Sequence, residues 1–260
     1  MQVLWLTNVF FGRAQDGEDV RGQVMINLNK GKKLDHLGIR VELVGIIENL
    51  YDKNQNSTFL QLVRDLEPPG SLTDNMTYDF SFNRVEKQFE SYNGIVVRLR
   101  YFVNVVINRN YNRITKEEEF IVQNSGVEPE ENHPIKMEVG IEECLHIEFE
   151  FTKQAFHLKD CILGKVSFNL VRIKIKMMEL SIIRKEAVGA GQNAVTENET
   201  LSKFEIMDGA PVKGELVPVR FYLASTDLAP TYENVNNRFS CRYSLNLVLI
   251  DEHDRRYFKQ

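Results

Sequence analysis

Alternation with a period of two runs through this chain and dominates its long apolar segments. In IVVRLRYFVNVVINRN the residues Val97, Leu99, Tyr101, Val103, Val105 and Ile107 recur at every second position. Side chains on an extended strand point alternately to opposite faces, so this spacing predicts a strand with one buried face. GIRVELVGIIENLY repeats the pattern at Ile39, Val41 and Leu43, and Gly45 marks a bulge. VGIEECLHIEFEF sets Leu145, Ile147, Phe149 and Phe151 against His146, Glu148 and Glu150. In HLKDCILGKVSFNLVRIKIKMMELSIIRKE the apolar parity switches at Leu170-Val171, which predicts a bulge or a bend into another sheet. TFLQLVRDL has helical spacing at Phe59, Leu62, Val63 and Leu66, but its neighbours are strands and it is assigned as one. No long amphipathic helix is predicted anywhere. Short strands separated by turns predict antiparallel β-sandwiches.

The stretch SGVEPEENHPIK, Ser125 to Lys136, has turn residues, charge and two prolines but no periodicity. It is the expected linker, and it divides the chain into residues 1–130 and 131–260, one sandwich each. VGAGQNAVTENET, from Val188 to Thr200, is small and polar and reads as a hairpin loop.

Charge and cysteine content narrow the function classes. The net charge of −5 over 260 residues counts against nucleic acid as the main ligand, because neutralising phosphates dominates such affinity. Three cysteines, at 144, 161 and 241, form no metal-type spacing and no simple disulfide framework. Reduced thiols in a cytosolic compartment follow. The apolar run VLWLTNVFF is broken by Thr7 and Asn8 and is too short to span a bilayer. Any membrane contact is expected to be peripheral.

Catalytic constellations are not evident. Cys144, His146 and Glu148 share one strand face at alternate positions, which is the ordinary polar side of a half-buried strand before it is a metal site. The histidines lack a nucleophile elbow, and Gly189-Ala190-Gly191 lacks the strand-to-helix context of a dinucleotide loop. No catalytic residue, cofactor or metal ligand is assigned. The stripe Arg172, Lys174, Lys176 opposes Ile173, Ile175 and Met177. A solvated sheet face explains it, and an anionic-lipid or acidic-partner surface is the alternative.

KFEIMDGAPVKGE, Lys203 to Glu215, poses a sharper question. Ile206 and Met207 are adjacent, so from a regular strand only one of them can enter a given core. Asp208-Gly209 follows at once and is a strong hairpin dipeptide. Either the pair sits at a hairpin tip and is exposed for docking, or one residue fills the core and the other covers an edge.

Several blocks carry a family likeness: NGIVVRLRYFVNVVI, IKMEVGIEECLHIEFEF, LVRIKIKMMEL, KFEIMDGAPVKGE and SLNLVLIDEHDRRYFKQ. From about Asp16 to Gln260 the chain resembles the vacuolar protein sorting-associated protein 26 family, the arrestin-like subunit of retromer. The resemblance implies an arrestin-like fold of two antiparallel β-sandwiches joined by a linker, without catalytic activity. It implies binding to the α-solenoid subunit, vacuolar protein sorting-associated protein 35, and through it to the metallophosphoesterase-like retromer subunit. Ile206 and Met207 become the anchors of that contact, with Asp208 and Gly209 shaping an exposed tip. Sorting nexins and cytosolic tails of transmembrane cargo are further partners, and by position Val139 and Phe258 resemble pocket residues for them. Asp16 matches an acidic position used towards a sorting-nexin PDZ domain, but the leucine expected near Ser125 is absent, which counts against that contact. The implied location is cytoplasmic and peripheral on endosomes, the bilayer being reached through partners. MQVLWLTNVFFGRA departs from the family and the chain stops at Gln260, so outer strands are expected to be missing at both ends.

Overall fold

The structure is a computed structural model that describes residues 3–7, 13–124, 126, 129–141, 143–189 and 194–259, with the backbone only at 3–7, 13, 258 and 259. The fold divides into two compact units, Met1–Gly126 and Val127–Gln260. Unit one contains β1 (Val3–Thr7), β2 (Arg13–Ala14), β3 (Val20–Asn27), β4 (Leu34–His36) and β5 (Ile39–Asn49). It continues through β6 (Ser57–Glu67), β7 (Gly70–Leu72), β8 (Met76–Phe82), β9 (Tyr92–Asn93), β10 (Val97–Asn108) and β11 (Arg113–Val122). Unit two contains β12 (Ile135–Ile141), β13 (Leu145–Phe151), β14 (Cys161–Val171), β15 (Ile175–Val188) and β16 (Val195–Asp208). It closes with β17 (Leu216–Tyr222), β18 (Tyr232–Val235), β19 (Phe239–Asp251) and β20 (Arg256–Lys259).

In unit one a three-stranded sheet, β1-β3-β8, accompanies a larger sheet ordered β2-β11-β10-β5-β6. The alternation of β10 buries Val97, Leu99, Tyr101, Val103, Val105 and Ile107 as expected. The Tyr101 hydroxyl donates to the Phe89 carbonyl at 2.7 Å, which satisfies the one polar atom of that ring. Phe59 meets Tyr101 edge-on at 5.4 Å. The bulge expected at Gly45 is real, but the extra residue is Phe59 on the partner strand, since Gly45 pairs with Leu60 and Ile46 with Thr58. A Cβ on Gly45 would lie 2.7 Å from the Phe59 ring, so the glycine makes room for that aromatic.

Unit two is a sandwich. One sheet is ordered β12-β13-β14-β17, the other β16-β15-β19-β18, with β20 also on β19. Leu145, Ile147, Phe149, Val166, Phe168 and Val219 of the first sheet share a core with Met178, Leu180, Ile182 and Leu249 of the second. The parity switch near Leu170 is both a bulge and a change of sheet. Asn169 is the extra residue, because His146 pairs with Leu170 and Ile147 with Phe168. After Val171 the chain leaves the first sheet and enters the second as β15.

The polar stretch Val188–Thr200 is mostly not a loop. β15 runs to Val188 and β16 begins at Val195, paired with it; residues 190–193 lie outside the described ones. The segment is polar because this half of the edge strand β16 adds no side chain to the sandwich core, and Glu199 pairs with Arg184 of β15 instead.

Candidate protein-binding site

The IMDG segment ends strand β16, and its geometry answers the question its sequence raises. Phe204 pairs with Leu180, Glu205 with Glu179, and Met207 with Met178. Ile206 is therefore the extra residue of a β-bulge. A bulge breaks the two-residue period, so Ile206 and Met207 both reach the core side instead of opposite faces. Both are half-buried and pack against the sandwich core. A hairpin apex with both side chains exposed is thus corrected: these are strand residues, seated on their own domain and incompletely covered by it.

Asp208 and Gly209 do not form a hairpin either. β17, the next strand, belongs to the facing sheet, so the segment after Asp208 crosses the sandwich from one sheet to the other. Gly209 has φ +104°, and its N–H donates to the Lys176 carbonyl at 2.8 Å. Nothing lies within 4 Å of a Cβ built there, so backbone conformation and not space requires the glycine. The crossing is pinned at its far end: Gly214 N–H donates to Phe168 O at 2.7 Å, and Phe168 N–H to Glu215 O at 3.0 Å. Between the pins Pro211 is buried while Val212 is 67% exposed, and Leu216 opens β17 at 58% exposed. Ile206 and Met207 at the end of β16, Val212 within the crossing and Leu216 at the start of β17 thus follow one another along the connection between the two sheets, and farther along the same two strands Phe204 stacks on Phe221 at 5.4 Å. Sequence reasoning missed Val212 and Leu216. Leu216 was findable, because it is out of phase with the inward run Val217, Val219, Phe221.

Val139 and Phe258 lie on the other side of the same sandwich. Contact between β16 and β17, and the Phe204–Phe221 stack, put those two edges together. The opposite edges, β12 and β20, then share the remaining side. Val139 pairs with Ile147 on β12 and is half-buried against the core. The Phe258 backbone pairs with Val248 on β20, and its side chain lies outside the described residues. The edges differ in their capacity to accept another strand. β16 is bulged at Leu201 and Ile206, and β17 carries Pro218, devices that discourage edge pairing. β12 pairs with β13 from Ile135 to Ile141 with no register shift and has no second partner strand among the described residues.

The family model for vacuolar protein sorting-associated protein 26 matches residues 8–254. The chain belongs to that family. It is 56% identical over 254 residues to vacuolar protein sorting-associated protein 26 of Dictyostelium discoideum, covering 97% of this chain and 72% of the relative. The protein of that name in Plasmodium falciparum is 54% identical, over 94% of this chain and 83% of its own. Human vacuolar protein sorting-associated protein 26B is 53% identical, over 94% and 73%. A role in vacuolar protein sorting follows from the membership, and the all-β pair of units is the arrestin-like fold of this family.

Within this member of the vacuolar protein sorting-associated protein 26 family, Asp16 has work inside its own unit. Its carboxylate accepts the Lys87 N–H, and its own N–H donates to Asn124 Oδ1 at 3.0 Å. Lys87 is fully buried, with Nζ donating to Glu18 O at 2.7 Å and Val85 O at 2.9 Å. Burial pulls the Lys87 ammonium below its ordinary pKa, and the nearby Asp16, Glu18 and Asp19 oppose that shift. Cys144, His146 and Glu148 do not share a strand as expected: Cys144 sits in the β12–β13 turn, and His146 Nε2 lies 3.4 Å from Glu138.

Asp251 fixes the β19–β20 turn that carries Phe258. Its carboxylate accepts the His253 N–H at 2.9 Å, the Arg255 N–H at 2.9 Å, Arg255 Nε at 2.7 Å and the Tyr257 hydroxyl at 3.0 Å. Burial pushes its pKa up, but the Arg255, Tyr257 and His253 donors outweigh that and hold it at about 2. A carboxyl with a depressed folded-state pKa stabilises fully above its unfolded value of roughly 4, and loses that contribution as pH falls towards the folded value. Asp251→Asn is therefore expected to lower the thermal unfolding midpoint near neutral pH, with the gap to the parent chain closing by about pH 2. Melting both chains across that range checks it; parallel curves would contradict it.

Proposed function

We propose that this chain is a non-catalytic adaptor of a retromer-type coat, with one docking site at each long side of its C-terminal sandwich. The end of β16 and the crossing after it, with Ile206, Met207, Val212 and Leu216, bind the α-solenoid subunit, with Asp208 and Gly209 fixing the backbone. That subunit in turn connects the chain to the metallophosphoesterase-like subunit. The opposite side, with Val139 on β12 and Phe258 on β20, receives an extended cargo tail together with a sorting nexin. A tail lying along β12 gains backbone hydrogen bonds from the unbulged edge, and side-chain pockets select its sequence. The coat acts on the cytosolic face of endosomes, and sorting nexins supply its principal membrane attachment.

The observation that carries this reading is the bulge at Ile206, which turns two neighbouring apolar side chains to one side of an edge strand just before a crossing that carries two further exposed ones. Because the two sites lie on opposite edges, neither partner should displace the other. The test titrates a cargo-tail peptide and a sorting nexin into the full chain, free and then saturated with the α-solenoid subunit. Saturation should leave the peptide affinity within about twofold, a change of under 1 kcal/mol. Failure to bind the solenoid subunit, or competition between the two ligands, would refute the two-edge reading.

A further inference from the structure

One end of the N-terminal unit gathers a feature that the adaptor reading does not use. The β10–β11 hairpin turns through residues 109–112, closed by Arg109 N–H donating to Asn112 O at 2.9 Å. At its tip Tyr111 is 100% exposed. Leu37, 54% exposed, is fastened beside it: Leu37 N–H donates to Asn108 O at 2.7 Å, and Asn108 N–H to Gly38 O at 3.1 Å. Two apolar side chains are thus held out from the same end of the unit.

Cations surround them. Arg109 and Arg113 flank the hairpin, and Arg113 pairs with Asn108 in register. The loop between β3 and β4 adds Lys30, Lys32 and Lys33, all exposed. Arg109 lies close enough to Asp35 for its charge to act on that carboxylate, which joins the loop to the hairpin as one surface. The acids at this end, Asp35, Asp65, Glu67 and Asp74, are fewer than the five cations Lys30, Lys32, Lys33, Arg109 and Arg113. Asp35 has Lys33 Nζ 3.3 Å away, Asp74 accepts from Thr73 Oγ1 at 2.9 Å, and Glu67 on β6 lies across from Ile39. The positive excess stands on a chain whose net charge is −5, so it is local and not a property of the whole molecule.

We propose that this end of the N-terminal unit docks on an anionic lipid bilayer, Tyr111 and Leu37 entering the headgroup layer while the surrounding lysines and arginines face the charged surface. This goes beyond the adaptor reading, in which other proteins bring the chain to the membrane. Charge complementarity selects an anionic surface, and the two projecting apolar side chains select a bilayer over a polyanion. An exposed tyrosine is suited to the interface, with an apolar ring and a polar tip. Each lysine or arginine near an anionic leaflet is worth roughly a fivefold gain in partitioning, falling away within a Debye length.

The test is co-sedimentation of the full chain with phosphatidylcholine vesicles, with and without phosphatidylserine. The parent chain should pellet with the anionic vesicles, not with the neutral ones, and should be released by added salt. Lys30→Glu with Lys32→Glu should weaken binding more than tenfold, from about fivefold per position. Leu37→Ser with Tyr111→Ser should also weaken it, whereas Lys159→Glu, an exposed turn position in the other unit, should not. Circular dichroism confirms that each variant is folded. No preference for anionic vesicles would overturn the proposal, as would unchanged binding in both double variants. Equal affinity for single-stranded DNA, insensitive to the loss of Tyr111 and Leu37, would also overturn it by exposing a general polyanion surface.

Discussion

Gly164→Val is expected to destabilise the C-terminal sandwich by about 3 kcal/mol, enough to threaten both proposed docking edges at once. Gly164 lies in β14, an inner strand between β13 and β17, and pairs with Phe151. A Cβ at that position would stand 2.6 Å from the Glu150 carbonyl oxygen and 2.6 Å from the Phe151 ring. The first of those neighbours is the backbone of the adjacent strand. It can retreat only by stretching the β13–β14 ladder, which cannot be done one residue at a time. A valine adds two further methyl groups to the same gap. Gly45 offers the contrast, because its close neighbours are side-chain atoms, the Phe59 ring at 2.7 Å and Leu60 Cβ at 3.1 Å, with no backbone atom among them. Gly45→Ala should therefore cost less than Gly164→Ala under the same conditions. Urea unfolding followed by circular dichroism reads the midpoints. A Gly164→Val chain with the parent midpoint would show that the two strands are not packed as closely as described.

The strands that sequence alone made legible are those with one face sealed and one face wet. β13 alternates cleanly because every second side chain enters a core while its neighbours are partly exposed, and β10 keeps the same inward set although Phe102 and Val106 on its other face are buried as well. β16 was hidden for two physical reasons. It is an edge strand rich in polar residues, so its first half resembles a loop in composition. Its bulges at Leu201 and Ile206 then shift the parity twice, and a period-two reading cannot register an inserted residue. The same insertion explains the misjudged IMDG segment. Asp208-Gly209 is a good local hairpin signal, but whether the chain returns beside its own strand or crosses to the facing sheet is decided by tertiary packing. Gly214 and Phe168 make that decision through backbone hydrogen bonds between residues far apart in sequence. Val139 and Phe258 show the complementary limit. Each was identified by likeness of short motifs, yet their placement on one side of the sandwich follows only from the order of strands in two sheets.

Ile206→Asp is expected to abolish capture of the α-solenoid subunit, a loss of at least about a hundredfold, while leaving the sandwich folded but weakened by roughly 1–3 kcal/mol. The structure changes what this substitution should do. A side chain fully exposed at a hairpin tip could be exchanged for a carboxylate without cost to the fold. Ile206 is instead half-buried against the core, so the charge must be partly desolvated at home as well as at the interface. The affinity lost is correspondingly spread. Ile206 and Met207 already have part of their surface covered, so each gains less on docking than the 1.5–3 kcal/mol of a fully buried side chain, and Val212 and Leu216 must supply much of the rest. Phe204→Ala separates stability from binding. Phe204 lies on the same strand and is half-buried too, but its ring stacks on Phe221 within the domain. Its truncation should cost about 2–4 kcal/mol of stability and little affinity at temperatures where the chain stays folded. Paired melting curves and pull-downs distinguish the two variants. If Ile206→Asp still captures the solenoid subunit as the parent does, the bulged end of β16 is not the docking site. If Phe204→Ala loses capture to the same degree while folded, the interface reaches deeper into the sandwich than its margin.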